Sequence, residues 1–320
     1  MKPPSFTYQR AGSIEEATAV LAAHGDDAAV LAGGQSLMID LRLRRVRPRV
    51  VVDIDRAVDR RLRAFDGGGW IGALVRHREL EMGGLAVPGG LPGGPVGGPL
   101  GGPGAPLGGP AGPGAPGTRN GGPLAVLLAR VGPWVAHPPI RCRGTFGGSV
   151  AWGHPCAEWN AVVAGLGGTI SLARANGERT VAAADWYLGP CRTARRPDEV
   201  VTGVTLPVLP AGTGIGFAEH RRTSASFALV AAVAAVAVGG DGRVTAAHVG
   251  VAGAGPVPWR AAGAEALLEG AEPSPDAVEA AAHAAGNQAD PLPGDHASVE
   301  YRRHVVVELV RRALAQAVAA

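Results

Sequence analysis

The sequence predicts an α+β protein with a separate sheet-and-helix domain at its C-terminal end. Three observations carry this expectation. Short strand patterns alternate with capped helical patterns up to about residue 206, Pro207–Gly214 breaks them with boundary composition, and a long apolar meander followed by three helical segments comes after. The domains are expected at 1–206 and 214–320.

Taken in order, Ser13 and Glu16 form an S-x-x-E capping box before an apolar-periodic run that stops at Gly25, which predicts a helix over Ser13–His24. Ala28–Ala32 reads as a buried strand broken by Gly33-Gly34-Gln35-Ser36, with a short helix over Leu37–Arg45 and a strand over Arg49–Asp55 to follow. Arg63–Asp66 and Trp70–Val75, joined by Gly67-Gly68-Gly69, read as a hairpin leading into the polar stretch Arg76–Glu81. From 83 to 122 glycine and proline dominate in irregular spacing. That composition predicts a disordered insertion and excludes collagen, which needs glycine at every third position. A helix is expected from Leu124 to Val131, then a Gly-, Thr- and Ser-rich loop, a helix over Ala157–Gly165, and strands at Thr169–Arg174, Arg179–Val181 and Val200–Leu206. The C-terminal part reads as strands at Gly216–Glu219, Phe227–Val238 and Val244–Ala252. Helices follow at Ala261–Leu268, Pro275–Ala285 behind Ser274 and Val299–Val318 behind Ser298.

Composition removes several function classes. The chain has 320 residues, 46% of them hydrophobic, enough for two or three ordinary cores. Thirty basic residues against 27 acidic ones leave a net charge of +3, and the basic residues read as scattered, which argues against nucleic acid as a partner. Every basic residue except Lys2 is arginine, so a P-loop or a Schiff-base lysine is absent. Cys142, Cys156 and Cys191 are too few and too dispersed for a metal clip or a disulfide framework, so any iron–sulfur cluster must sit on another chain. The N-terminus lacks a signal-type apolar core, and the longest apolar run, Phe227–Val238, is short of the ~20 residues that span a bilayer. A cytoplasmic protein is expected.

Two glycine-centred turns share a physical design: Ala32-Gly33-Gly34-Gln35-Ser36 leading into Leu37, and Thr145-Phe146-Gly147-Gly148-Ser149. Paired glycines permit positive φ and close approach, so that successive N–H groups can converge on an anion while Ser and Thr hydroxyls add donors. Each turn is expected to act as a pyrophosphate cradle. Gly67, Gly69 and Gly72 also fit G-x-G-x-x-G, but they lie in a hairpin and open no helix, so a Rossmann site is set aside. His154, Cys156 and Glu158 are ligand-type residues without a second cluster, and no metal site is expected. His77 and His137 are read as surface or packing residues. The tryptophans are read as core or interface residues, with stacking kept open for Trp152.

In this order, Phe6-Thr7-Tyr8, Ser13 to Gly25, Val30 to Leu37, Leu41-Arg42-Leu43, Val52-Asp53-Ile54, Arg78 to Glu81, Ile140-Arg141, Arg143-Gly144-Thr145, Gly147-Gly148-Ser149, Ala157-Glu158, Phe227 to Val230 and Glu300 to Arg303 resemble the FAD-binding medium subunit of carbon monoxide dehydrogenase and xanthine dehydrogenase type molybdenum hydroxylases. The resemblance implies a two-lobed FAD-binding domain of the PCMH type followed by an antiparallel sheet plus helices. It implies FAD on both turns, with Glu158 as the acidic residue beside the flavin and Gln35 shaping the first loop. It also implies an iron–sulfur small subunit and a molybdopterin-binding large subunit as partners, with electrons relayed through FAD to an external acceptor. The chain departs from the family pattern at His154 and Ser226, where aspartates are usual, and at Phe146 and Cys142. These departures bear on flavin tuning and keep two alternatives in view: a stand-alone FAD-dependent oxidase or dehydrogenase, and a non-catalytic homologue whose insertion serves interaction.

Overall fold

The computed structural model describes residues 2–65, 68–83, 122–224, 226–294 and 296–320. Nearly all of the expected insertion over 83–122 therefore lies outside the described residues. Among those described, no helix is long and apolar enough to cross a membrane.

The first lobe is built on three parallel strands, Thr7–Arg10, Val50–Asp53 and Ala28–Leu31 in that spatial order. The helix Ile14–His24 starts where Ser13 Oγ accepts the N–H of Glu16 (3.2 Å), while Glu16 reaches back to the N–H of Gly12 (2.7 Å). Gly25 ends it with φ of 53°. One face of this helix covers the small sheet, and the other meets the strand Thr169–Arg174 of the second lobe. Parallel strands need such crossovers, which is why a helix separates the first two strands and Leu37–Leu43 the next pair.

The second lobe is a five-stranded antiparallel sheet in the order Leu62–Phe65, Gly68–Gly72, Val200–Pro207, Thr169–Arg174, Gly177–Ala182. Helix Phe146–Trp152 packs on strands Gly68–Gly72 and Val200–Pro207 of it, and helices Gly122–Val131 and Glu158–Gly165 lie between it and the C-terminal sheet, against strands Gly214–Arg221 and Val244–Ala252 respectively. Gly69 and Gly72 are strand residues paired across the sheet, as the hairpin reading requires. The stretch Arg76–Glu81 carries a short helix, His77–Glu81, that the sequence reading left unassigned.

The C-terminal sheet runs Gly214–Arg221, Ala228–Val238, Val244–Ala252, Trp259–Arg260, all antiparallel. Helices Ala262–Leu268, Pro275–Gln288 and Val299–Val318 cover one face, and Glu158–Gly165 of the second lobe presses on the other. Covered on both sides, Ala228–Val238 is buried along its whole length except Val238. That explains an uninterrupted apolar run where a half-exposed strand would alternate. The core follows the same division, because Ile215, Phe217 and Val233 join the core of the two lobes while Ala218, Ala232 and Val236 join the core beneath the helices. Strand Gly214–Arg221 is an edge, and side chains close it: Arg130 donates to the Ile215 carbonyl, and Gln316 Oε1 accepts the N–H of Phe217 at 3.1 Å.

Candidate functional site

The two glycine turns, more than a hundred residues apart in sequence, meet in space. A β-carbon added at Gly33 would lie 2.4 Å from the Arg143 carbonyl oxygen and 2.8 Å from Gly144 Cα, so the first turn rests on the peptide leading into the second. That peptide is braced by Arg76, whose guanidinium donates to the Arg143 carbonyl and, at 2.9 Å, to Asp55 beyond the end of the first lobe's central strand. Sequence reading missed Arg76, since nothing local distinguishes it from the other arginines.

In the first turn the N–H groups of Gly33, Gly34, Gln35, Ser36 and Leu37 donate to no acceptor among the described residues. Gly34 has φ of 73°, and Gln35 Nε2 donates to the Gly33 carbonyl at 3.0 Å, which holds the loop in shape. The helix Leu37–Leu43 begins directly after it. Five consecutive uncommitted amides in a glycine turn form a concave donor surface suited to an anion.

The second turn is different from what its glycines predict. Thr145 caps the helix Phe146–Trp152, its Oγ1 accepting the Gly148 N–H at 3.1 Å. Three further amides are also committed: Phe146 to Val75, Gly147 to Ala73 and Ser149 to Thr145, each through the carbonyl oxygen. The Phe146 ring is fully buried and lies 5.5 Å from that of Trp159. Phe146 and Gly147 are thus withdrawn from any cofactor surface; their work is packing, since a β-carbon at Gly147 would collide with Ala73 at 2.4 Å. Thr145 and Ser149 keep hydroxyls that can donate, and Ala32 lies 4.0 Å from where a Gly148 β-carbon would be. Hydroxyls, more than backbone amides, are what the second turn offers.

At its far end, about 10 Å from its start for seven residues, the helix Phe146–Trp152 delivers an aromatic cluster. His154 stacks on Phe227 with centroids 4.2 Å apart and planes at 16°, and Trp152 lies 4.7 Å from His154. His154 Nδ1 accepts the Cys156 N–H at 3.2 Å, and burial pulls its pKa down to about 4, so the ring is neutral. Phe227 remains half-exposed. Beside it opens a cavity of about 380 Å³ lined by Cys156, Arg222, Thr223, Ser226, His296 and Arg302, among others.

Glu158, at the start of its helix, is buried, and so is the Glu219 side chain facing it from the C-terminal sheet. Neither Glu219 oxygen has a hydrogen-bond partner, because Arg221 Nε stands 3.7 Å away. Burial raises both carboxyls above their ordinary range; the charge of Glu158 raises Glu219 further, and Arg221 holds both back. Glu219 has the same strand parity as Ile215 and Phe217, which join the core of the two lobes, and the sequence reading missed it. His77 is a core residue: its Nδ1 accepts from Trp159 Nε1 at 2.9 Å, and burial depresses its pKa to about 3. Trp159 is accordingly packing, not stacking.

A parallel lobe and an antiparallel lobe that meet at an amide-lined glycine turn, capped by a sheet with helices, define a two-lobed nucleotide-cofactor protein. The chain belongs to the FAD-binding domain family of molybdopterin dehydrogenases, matched over residues 4–209, and residues 216–317 match the CO dehydrogenase flavoprotein C-terminal domain. It is 33% identical over 318 residues to the 6-hydroxypseudooxynicotine dehydrogenase complex subunit alpha of Paenarthrobacter nicotinovorans, covering 99% of this chain and 96% of that one. The carbon monoxide dehydrogenase medium chain of Hydrogenophaga pseudoflava is 28% identical over 317 residues, 98% of this chain and 97% of its own. Among solved structures, carbon monoxide dehydrogenase from Hydrogenophaga pseudoflava superposes with a TM-score of 0.84 at 28% identity, covering all of this chain and 99% of the other. Quinoline 2-oxidoreductase from Pseudomonas putida 86 gives 0.81 at 27%, again over all of this chain and 99% of the other. The chain is an oxidoreductase-family flavoprotein of the medium-subunit type, and its cofactor is FAD. The donor set fits that cofactor, since a pyrophosphate needs several converging donors and the first turn presents five.

Proposed function

We propose that this chain is the electron-transfer subunit of a molybdenum hydroxylase type complex, taking electrons from an iron–sulfur partner through FAD to an external acceptor. The observation that carries this reading is the amide turn Gly33–Leu37 seated on Arg143–Gly144 at the junction of the two lobes. In it, Ala32 to Leu37 hold the pyrophosphate, while Thr145, Ser149 and Ser36 supply hydroxyls. The helix Phe146–Trp152 sets the distance from there to the ring end, where Trp152, His154 and Phe227 present aromatic faces. Glu158 lies behind that end, with Glu219 as its neighbour. Bound FAD supplies the redox chemistry, exchanging electrons singly or in pairs; the protein positions and shields it.

The relay requires partners because a cluster of the [2Fe–2S] type takes four cysteine thiolates and this chain has three cysteines in all. The medium-chain relatives and the full-length coverage support assembly with an iron–sulfur and a molybdopterin-binding subunit. Domain limits near 206 and 214 are supported by the two family matches, which leave 210–215 between them. A second reading, a stand-alone oxidase or dehydrogenase, draws on the cavity beside Phe227, whose Arg222 and Arg302 suit a small anion.

Co-expression with a candidate iron–sulfur subunit and a molybdopterin-type subunit tests both. One co-eluting assembly whose flavin bleaches when reducing substrate is added supports the relay. Turnover of a small substrate by the isolated chain at about 1 per second or faster would replace it with the second reading.

A further inference from the structure

The arginines are less evenly spread than composition suggests. Arg42, Arg44, Arg45, Arg47 and Arg49 fall within one short stretch running off the helix Leu37–Leu43, and all five are exposed. Arg45 pairs with Asp40 at 3.4 Å and Arg49 approaches Asp27 at 3.9 Å, both in solvent. Arg42, Arg44 and Arg47 make no ion pair among the described residues. Arg44 has φ of 57°, a left-handed conformation that glycine would adopt at lower cost, so a charged side chain is held where the backbone favours none.

The same stretch exposes large apolar side chains: Met38 by 37%, Ile39 by 51%, Leu43 by 53% and Val46 by 38%. Ile39 and Leu43 are one helical turn apart and form one stripe. Leu41 is the helix's buried anchor, so the helix is held to the body and its outer side is free. An apolar centre with an arginine rim has the composition of a protein–protein interface, where arginine is enriched and lysine depleted. A nucleic-acid backbone would cover the charges and leave the apolar stripe wet, and a membrane surface would call for Trp or Phe anchors, which the stretch lacks.

We propose that Met38 to Arg49 is the docking face for the iron–sulfur partner, through an acidic protein surface with an apolar centre. The proposal rests on the complex-subunit reading. Charge complementarity points the same way, because a thiolate-ligated iron–sulfur cluster is itself anionic and a face carrying five arginines against two nearby aspartates, Asp40 and Asp27, favours such a partner. The helix starts at Leu37, the last residue of the amide turn, and is about 10 Å long. A donor seated on it stands at the rim of the flavin site.

The test uses the full chain co-expressed with both partner subunits, comparing wild type with Ile39→Glu/Leu43→Glu, with Arg42→Glu/Arg47→Glu, and with Leu267→Glu as an exposed control on the C-terminal part. Assembly is measured by size-exclusion chromatography and by titration at two salt concentrations. The expected result is at least tenfold weaker assembly for each double variant with unchanged melting temperature and flavin content, wild-type-like assembly for the control, and a salt dependence that shrinks in the arginine variant. Wild-type assembly by both double variants overturns the docking face alone, as does a wild-type chain that self-associates through it or binds anionic vesicles while the complex ignores the substitutions. Failure of the wild-type chain to assemble with any iron–sulfur subunit overturns the complex reading instead.

Discussion

Glycine acts in two separable ways at neighbouring positions of the amide turn. At Gly34 there is room for a β-carbon, with Leu31 and Met38 at 3.4 and 3.5 Å, but φ of 73° strains any branched residue. At Gly33 the objection is contact, since the β-carbon would enter the Arg143 carbonyl. Gly33→Ala is therefore expected to part the two turns and lower FAD affinity tenfold or more, about 1.4 kcal/mol, whereas Gly34→Asn, which accepts left-handed φ, retains more flavin than Gly34→Val. Isothermal titration of the three apoproteins orders them; equal affinities would remove the turn from the site. Glu219 supplies the second residue-level prediction. Its folded pKa lies above the ordinary 4.5, so the folded state keeps a proton that the unfolded chain gives up, and stability is present at low pH and lost as pH rises from the unfolded toward the folded value. Glu219→Gln removes the charge and is expected to flatten that decline, melting higher than wild type at about pH 8 and showing little difference near pH 5. Identical pH profiles would mean the pair is relaxed by solvent. The sequence announced the turn's glycines, but in it Glu219 reads only as the end of a strand. What it could not announce was that Glu219 faces Glu158, because that pairing is made only when the C-terminal sheet docks.

The helix Phe146–Trp152 is the element that local sequence hides best. Gly147 and Gly148 are poor helix formers, so Thr145–Ser149 reads as a second copy of the first turn. Tertiary contact overrides propensity here: the strand-end residues Ala73 and Val75 accept the Gly147 and Phe146 amides, and Gly147 lets the helix press onto Ala73. The resulting element commits the Phe146, Gly147 and Gly148 amides to the protein itself and leaves the hydroxyls of Thr145 and Ser149 to act. Thr145→Ala deletes the cap on Gly148 and is expected to cost about 1 kcal/mol, a fall of roughly 2–4 °C in melting temperature, together with weaker flavin binding. Thr145→Ser should restore most of both. Differential scanning fluorimetry with and without FAD separates the effects, and an alanine variant that melts like wild type would show that the neighbouring backbone bonds alone hold the helix start. Elements with strong local signals fared otherwise. Ser13, Ser274 and Ser298 each accept an N–H three residues on, at 3.2, 3.2 and 3.1 Å, and the helices begin where those serines predict.

At the scale of the molecule, the path from amide turn to aromatic cluster depends on pieces far apart in the chain being held in register. The stem of the glycine–proline segment illustrates how this is done. On one side, Glu81 takes a two-pronged ion pair from the buried Arg141, at 2.9 and 3.1 Å. On the other, the residues after the segment return to the same place: Gly132 passes so close to Glu81 that a β-carbon would sit 2.6 Å from Glu81 Cα, and the helix Gly122–Val131 lies against His77–Glu81. The two flanks are thus joined by their own contacts, whatever the length of chain between them. Loop-closure cost grows only about 0.6 kcal/mol per doubling of length, so shortening a connection whose ends are already clamped should change stability little. Deleting 89–117 is accordingly expected to leave FAD content unchanged and the melting temperature within a few degrees. Glu81→Ala in the full-length chain, by contrast, leaves the Arg141 guanidinium buried without its carboxylate and should lower the melting temperature by more than the whole deletion does. Thermal melts and flavin-to-protein ratios on the two variants decide it. Loss of flavin on deletion, with the Glu81–Arg141 pair intact, would mean that the excised residues themselves support the site.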